Sequence, residues 1–131
     1  DKIWGFLSET SSNVVEVYVS ALRKVLKEHG VDVMDVSTGG IMSGGAIPVK
    51  PNYQVPFAEQ VKSKADIPVT AVGLITKPKQ AAKILAHGEA DAVEIGRAAL
   101  RDPYWPLRAA NKLGIPSTEI PYAPQYVAGA Y

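Results

Sequence analysis

Three short stretches of the sequence hold the residue types that a phosphate site needs: Ser37-Thr38-Gly39-Gly40, Gly73-Leu74-Ile75-Thr76 and Gly96-Arg97. Glycine lets an anion come close to the backbone, and unpaired N–H groups at a helix start point their positive ends toward it. Arg97 adds a planar, permanently charged fork that matches phosphate oxygens. Each piece also has another use. A glycine after a strand serves a tight turn with positive φ, and an arginine at a helix start serves a surface ion pair.

Other residues point to less chemistry. His29 and His87 each precede a glycine in what reads as a last helical turn, where a cation favours the helix dipole, and they are taken as helix-end residues rather than ligands. Asp32 and Asp35 could form an acid–base pair. Three positions apart on a strand they face opposite sides, so they are read as structural. Tyr122, Tyr126 and Tyr131, set among tail prolines, have the amphipathic character of docking anchors, on the barrel or on a partner subunit.

The elements that must position these residues follow one repeated order: helix, glycine stop, short buried strand, loop. Asn13 and Glu16 have capping-box spacing, and apolar residues recur at helical spacing from Val14 to Leu26 before Gly30. Residues 31–36 read as a strand, as do residues 69–73 and 92–95. Helices are expected over 53–64, over 77–87 with Thr76 as cap and Gly88 as stop, and over 104–113 before Gly114. Residues 3–7 are a candidate fourth strand, and residues 115–131 an extended, proline-bearing tail. Short apolar strands alternating with amphipathic helices predict an α/β protein with a parallel sheet. The units suit either about half of a (β/α)8 barrel or a small doubly wound open sheet, and periodicity alone does not choose. In a barrel, loops after the seventh and eighth strands form the usual phosphate position.

Composition narrows the class. Among 131 residues, 47% are hydrophobic, the formal net charge is +1 and there is no cysteine. These values fit a globular domain, exclude disulfides and thiolate metal sites, and argue against a nucleic-acid surface or a polybasic membrane anchor. No apolar run reaches the roughly 20 residues of a membrane span. The opening Asp1-Lys2-Ile3-Trp4 carries neither an initiator Met nor a signal-peptide pattern, which points to a fragment or processed chain, with the cytosol as the default compartment.

Taken together, the loops carry a resemblance. Val33-Met34-Asp35-Val36-Ser37-Thr38-Gly39-Gly40, Tyr53-Gln54-Val55-Pro56-Phe57-Ala58, Ala71-Val72-Gly73-Leu74-Ile75-Thr76 and Ile95-Gly96-Arg97-Ala98-Ala99-Leu100, with Arg101-Asp102-Pro103 following, resemble the old yellow enzyme family. Order and spacing are most similar to its bacterial thermophilic-like branch of NADPH dehydrogenases and xenobiotic reductases, and the tail Pro124-Gln125-Tyr126 matches as well.

The resemblance implies the C-terminal half of a (β/α)8 TIM barrel over residues 1–114, with FMN at its carboxyl face, and a tail over 115–131. It implies that NAD(P)H reduces the flavin, which passes hydride to an activated alkene such as an enone or enal. Gly96 and Arg97 match the pair that holds the FMN phosphate. Gly73 and Leu74 match the preceding phosphate-facing loop, and Gly40 belongs to the loop beside the flavin. The family's acceptor-binding histidines and proton-donor tyrosine match nothing in this chain. Residues 3–7, the candidate for a strand that carries a flavin-contacting arginine in the family, hold no arginine. Val127-Ala128-Gly129 stand where the branch often has a tail arginine. The expected partner is an N-terminal half-barrel or a homo-oligomer mate, with no nucleic acid or membrane. The alternative is a degenerate half-barrel that binds FMN or phosphate without catalysis.

Overall fold

A computed structural model describes residues 21, 24–26, 28–38, 49–65 and 67–130. Within them, β-branched and small apolar residues form three short strands: β1 (Met34–Val36), β2 (Val69–Ala71) and β3 (Ala92–Val93). They lie in the order β1-β2-β3 and both pairings are parallel. Between β1 and β2 runs α1 (Val55–Ala65), and between β2 and β3 runs α2 (Pro78–Ala86). After β3 come α3 (Gly96–Arg101) and α4 (Trp105–Lys112). This is the expected α/β order, with consecutive strands adjacent and parallel, as in successive units of a (β/α)8 barrel.

Register explains which side chains go where. Met34 pairs with Val69, and Val36, Ala71 and Val93 align in the next row. These residues face the helices and join a core with Val55, Ala58, Ile84 and Trp105. Asp35, Thr70 and Ala92 form the alternate row, on the face away from that core. Asp32 lies outside β1 and is exposed, so the two aspartates do not form a pair.

The strands are shorter than the apolar runs suggest. Val33, expected in the first strand, is 49% exposed, and regular pairing begins only at Met34, whose N–H bonds the Pro68 carbonyl at 2.9 Å. The second strand ends before Gly73, whose φ of +125° turns the chain out of the sheet. The glycine stops fall where expected. After Gly30, Gly88 and Gly114, the next N–H reaches back to Leu26, Ile84 and Ala110 at 3.0, 3.0 and 3.1 Å, the six-to-one bond of a left-handed helix cap.

Two expectations need correction. Residues 96–101 form a helix of their own, so α3 precedes the helix expected after Asp102-Pro103. The tail is not wholly irregular: Pro124–Gly129 is a 3-10 helix, with Pro124 in its first turn, where a fixed φ suits the start. Of the tail tyrosines, Tyr122 is half-buried and Tyr126 is 64% exposed, while the buried residue of the tail is Ile120. The Asn13 cap, residues 3–7 and Tyr131 lie outside the described residues.

At the amino ends of the strands, Asp91 ties the layers together. One carboxylate oxygen accepts the Val69 N–H at 2.9 Å, and the other meets Lys62 of α1 at 2.8 Å. The hydrogen bond from Lys62, then that from Val69, holds the Asp91 carboxyl below its ordinary value. Among the described residues no helix is long and apolar enough to cross a membrane.

Candidate anion-binding cleft

The carboxyl ends of β2 and β3 open into a cleft of about 170 Å³. Its walls are the 72–76 loop, the start of α3, and the residues Tyr53, Gln54, Glu94, Arg97 and Arg101. The structure therefore brings Gly73, Leu74, Gly96 and Arg97 to one place. Gly40 lies outside the described residues.

The loop after β2 is held from several sides. A Cβ at Gly73 would stand 3.1 Å from the Gln54 backbone nitrogen and 3.3 Å from the Tyr53 ring, so both conformation and space require glycine there. Leu74 also has positive φ, +51°, an uncommon state for a branched side chain that its surroundings must enforce. Gln80 does much of this. Its side-chain amide donates to the Leu74 carbonyl at 2.9 Å and to Asn52 Oδ1 at 2.5 Å. Its oxygen accepts the N–H groups of Thr76 and Lys77 at 3.0 and 3.3 Å. Thr76 is therefore not the helix cap. Lys77 occupies that position, and Gln80, three residues on, closes the turn.

Neighbouring elements complete the clamp. The Asn52 N–H donates to the Gly73 carbonyl at 2.9 Å. Buried Gln54 accepts the Thr38 N–H at 2.9 Å, which ties the loop after β1 to the segment that Gly73 packs against. On the far side, the Trp105 indole donates to the Thr76 carbonyl. The backbone of residues 73–76 is thus fixed by groups outside it, the condition for a pre-organised site.

The second wall is different in character. Among the described residues, a Cβ at Gly96 would meet no atom within 4 Å, so none of them demands glycine there. Gly96 opens α3, whose first N–H groups have no carbonyl one turn earlier to bond within the helix. Arg97 and Arg101 are exposed and four residues apart, hence on one helical face. Half-buried Glu94 adds a carboxylate, whose Oε1 accepts the Thr70 hydroxyl at 2.8 Å. Thr70 Oγ1 also lies 3.2 Å from Asp35 Oδ1. Two guanidinium groups and one tethered carboxylate leave the lining with a formal excess of one positive charge. The arrangement can bind an anion by backbone N–H groups and arginine together.

Sequence reasoning misses Arg101, Glu94 and Gln80. Gln80 has a readable signal, the capping-box spacing from Lys77, but the hydroxyl of Thr76 makes that residue the more obvious cap. Arg101 becomes visible only once α3 is known to be helical, and Glu94 only once the register across β2 and β3 is known.

Comparison with known proteins gives a consistent result. Residues 7–115 match the NADH:flavin oxidoreductase / NADH oxidase family. Over 101 residues the chain is 50% identical to an NADPH dehydrogenase of Geobacillus thermodenitrificans, covering 77% of this chain and 29% of that protein. Another from Geobacillus sp. (strain WCH70) is 49% identical over 88% of this chain and 32% of its own length. One from Bacillus subtilis is 45% identical over 81% and 30%. The chain thus spans about a third of the length of the relatives it matches.

Proposed function

The chain belongs to the NADH:flavin oxidoreductase / NADH oxidase family, and from that premise we propose that it is the cofactor-phosphate segment of an FMN-dependent NAD(P)H oxidoreductase of old yellow enzyme type. The observation that carries this reading is the meeting of the Gly73 loop, Gly96 and Arg97 around one cleft at the strands' carboxyl ends.

The residues present fit a phosphomonoester. The Gly73–Leu74 backbone is held rigid from outside, so its groups need not reorganise to receive an anion. At Gly96 a side chain would meet none of the described residues, which suits close approach by a ligand. Arg97 supplies a charged fork, at the start of the helix that follows β3.

Gly73, Leu74, Gly96 and Arg97 would hold the phosphate and so fix one end of the cofactor. When bound, the flavin supplies two-electron chemistry, accepting hydride from NAD(P)H and delivering it to an activated alkene such as an enone or enal. The residues described here bind and orient; acceptor binding and proton donation belong to the rest of the barrel. That remainder, in the same longer chain or in a partner, would also cover the outer edges of β1 and β3 and the sheet face bearing Asp35, Thr70 and Glu94. Uncovered edges and faces of this kind favour unwanted pairing.

The test uses a chimera in which this chain replaces the matching third of the Geobacillus thermodenitrificans NADPH dehydrogenase. FMN and riboflavin are titrated into the apo-chimera and its Arg97→Ala variant by fluorescence quenching. A charge-assisted hydrogen bond of about 1.5–3 kcal/mol predicts a ten- to hundredfold loss for FMN, with riboflavin nearly unchanged. Equal losses for both flavins would assign Arg97 a structural role and place the phosphate elsewhere.

A further inference from the structure

We infer that Glu94 is a second ligand-binding residue of the cleft, one that accepts hydrogen bonds from the hydroxyl-bearing chain next to the phosphate. The inference rests on the phosphate reading above and extends it from the anion to the polyol beside it.

Glu94 is two residues before Gly96, at the exit of β3, and lines the same cleft as Gly96 and Arg97. Its backbone is fixed, since its N–H continues the parallel ladder to the Ala71 carbonyl at 2.8 Å. Its side chain is tethered as well, by the Thr70 hydroxyl on Oε1 at 2.8 Å. A hydroxyl carries one proton. The shorter contact directs it to Glu94, while Asp35 stands behind Thr70 at 3.2 Å.

That tether occupies part of the acceptor capacity of the carboxylate, and among the described residues no other group bonds to it. Among the described residues, neither Arg97 nor Arg101 forms an ion pair with Glu94. An ionised carboxylate only accepts hydrogen bonds, so it suits a ligand's hydroxyl groups and opposes a second phosphate. A pure anion site would be stronger without it. Placed beside two arginines, one fixed acceptor selects a ligand that is anionic at its end and hydroxylated next to it: a polyol phosphate. Ribityl phosphate, the side arm of FMN, has this chemistry.

The experiment compares three flavins on the chimera: lumiflavin, which lacks the ribityl arm, riboflavin, which has its hydroxyls, and FMN, which has hydroxyls and phosphate. Glu94→Ala is expected to weaken riboflavin and FMN equally, on the order of tenfold or more, and to leave lumiflavin unchanged. Thr70→Val, which removes the tether but keeps the carboxylate, is expected to give the same pattern with a smaller loss. Equal loss of all three flavins, unchanged binding of riboflavin, or a gain for FMN would each overturn the inference. A fall in the apo-chimera's melting temperature matching the loss of affinity would also overturn it, by showing a structural role. Arg97→Ala, which separates FMN from riboflavin, tests the phosphate reading independently, so the two can fail apart.

Discussion

The indole N–H of Trp105 donates to the carbonyl oxygen of Thr76 at 3.1 Å, so α4, the second helix after β3, holds the end of the loop after β2. Trp105 is also buried in the core, and its two roles can be separated. Trp105→Phe keeps most of the packing and loses the bond, for an expected cost of about 1 kcal/mol. Trp105→Ala loses both, for about 3–5 kcal/mol. Urea unfolding of the chimera checks this; equal costs would mean that packing at this site is not what the ring supplies.

The two cleft glycines should respond oppositely. At Gly73 an added methyl meets positive φ and the Gln54 backbone, so Gly73→Ala is expected to destabilise the fold by about 1–3 kcal/mol. At Gly96 an added methyl meets nothing among the described residues, so Gly96→Ala should leave unfolding within about 0.5 kcal/mol of the parent or stabilise it slightly while weakening FMN binding. Thermal melts with and without FMN distinguish the pair, and a Gly96→Ala protein that binds FMN normally would remove Gly96 from the site.

Gln80 uses both ends of its amide on the loop, and Gln80→Leu releases them together. Loss of its two partly buried hydrogen bonds, to Asn52 and Leu74, predicts about 2–3 kcal/mol of destabilisation, and the freed loop predicts weaker binding of FMN. Amide hydrogen exchange should quicken at Thr76 and Lys77, whose N–H groups Gln80 accepts. Unchanged exchange there would show that the loop holds its shape without it.

The fold is legible where periodicity and glycine stops agree. Gly30, Gly88 and Gly114 end helices as their spacing indicates, and the three strands pair in chain order. Strand ends are less legible, because Val33 is as apolar as the core valines and only pairing reveals that it lies outside β1. The cleft is half legible. Gly73, Leu74, Gly96 and Arg97 stand in local motifs, whereas Glu94 owes its place to Thr70 on a neighbouring strand, a relation that no linear spacing encodes. In the tail, composition singles out the tyrosines, whereas Ile120, the residue that is buried there, carries no signal of its own in the sequence.

Asp91 predicts a dependence on pH at the opposite end of the sheet. Its folded-state carboxyl titrates below the unfolded value of 3.8, so its contribution is present above that value and is lost as pH falls through the lower folded value. Its side chain is 43% exposed, so the ion pair with Lys62 is worth less than about 1 kcal/mol. Lys62→Met should therefore lower stability slightly at neutral pH, and the difference from the parent should vanish on acidification below 3.8, as pH falls through the lower folded value. A difference that persists there would show that the lysine's aliphatic stem, rather than its charge, carries the effect.

The repeated helix stop has a consequence for how such a protein can be recombined. At Gly30, Gly88 and Gly114 the backbone is exposed, with nothing among the described residues within 4 Å of where a side chain would point, and each turn closes on its own preceding helix. These positions are therefore seams: a segment exchanged or an insertion placed there meets a finished helix on one side and, on the other, a strand not yet begun after Gly30 and Gly88 or the tail after Gly114. Crossovers between relatives should be tolerated at these glycines, and poorly tolerated between Asn52 and Gln80, where hydrogen bonds join residues 28 positions apart.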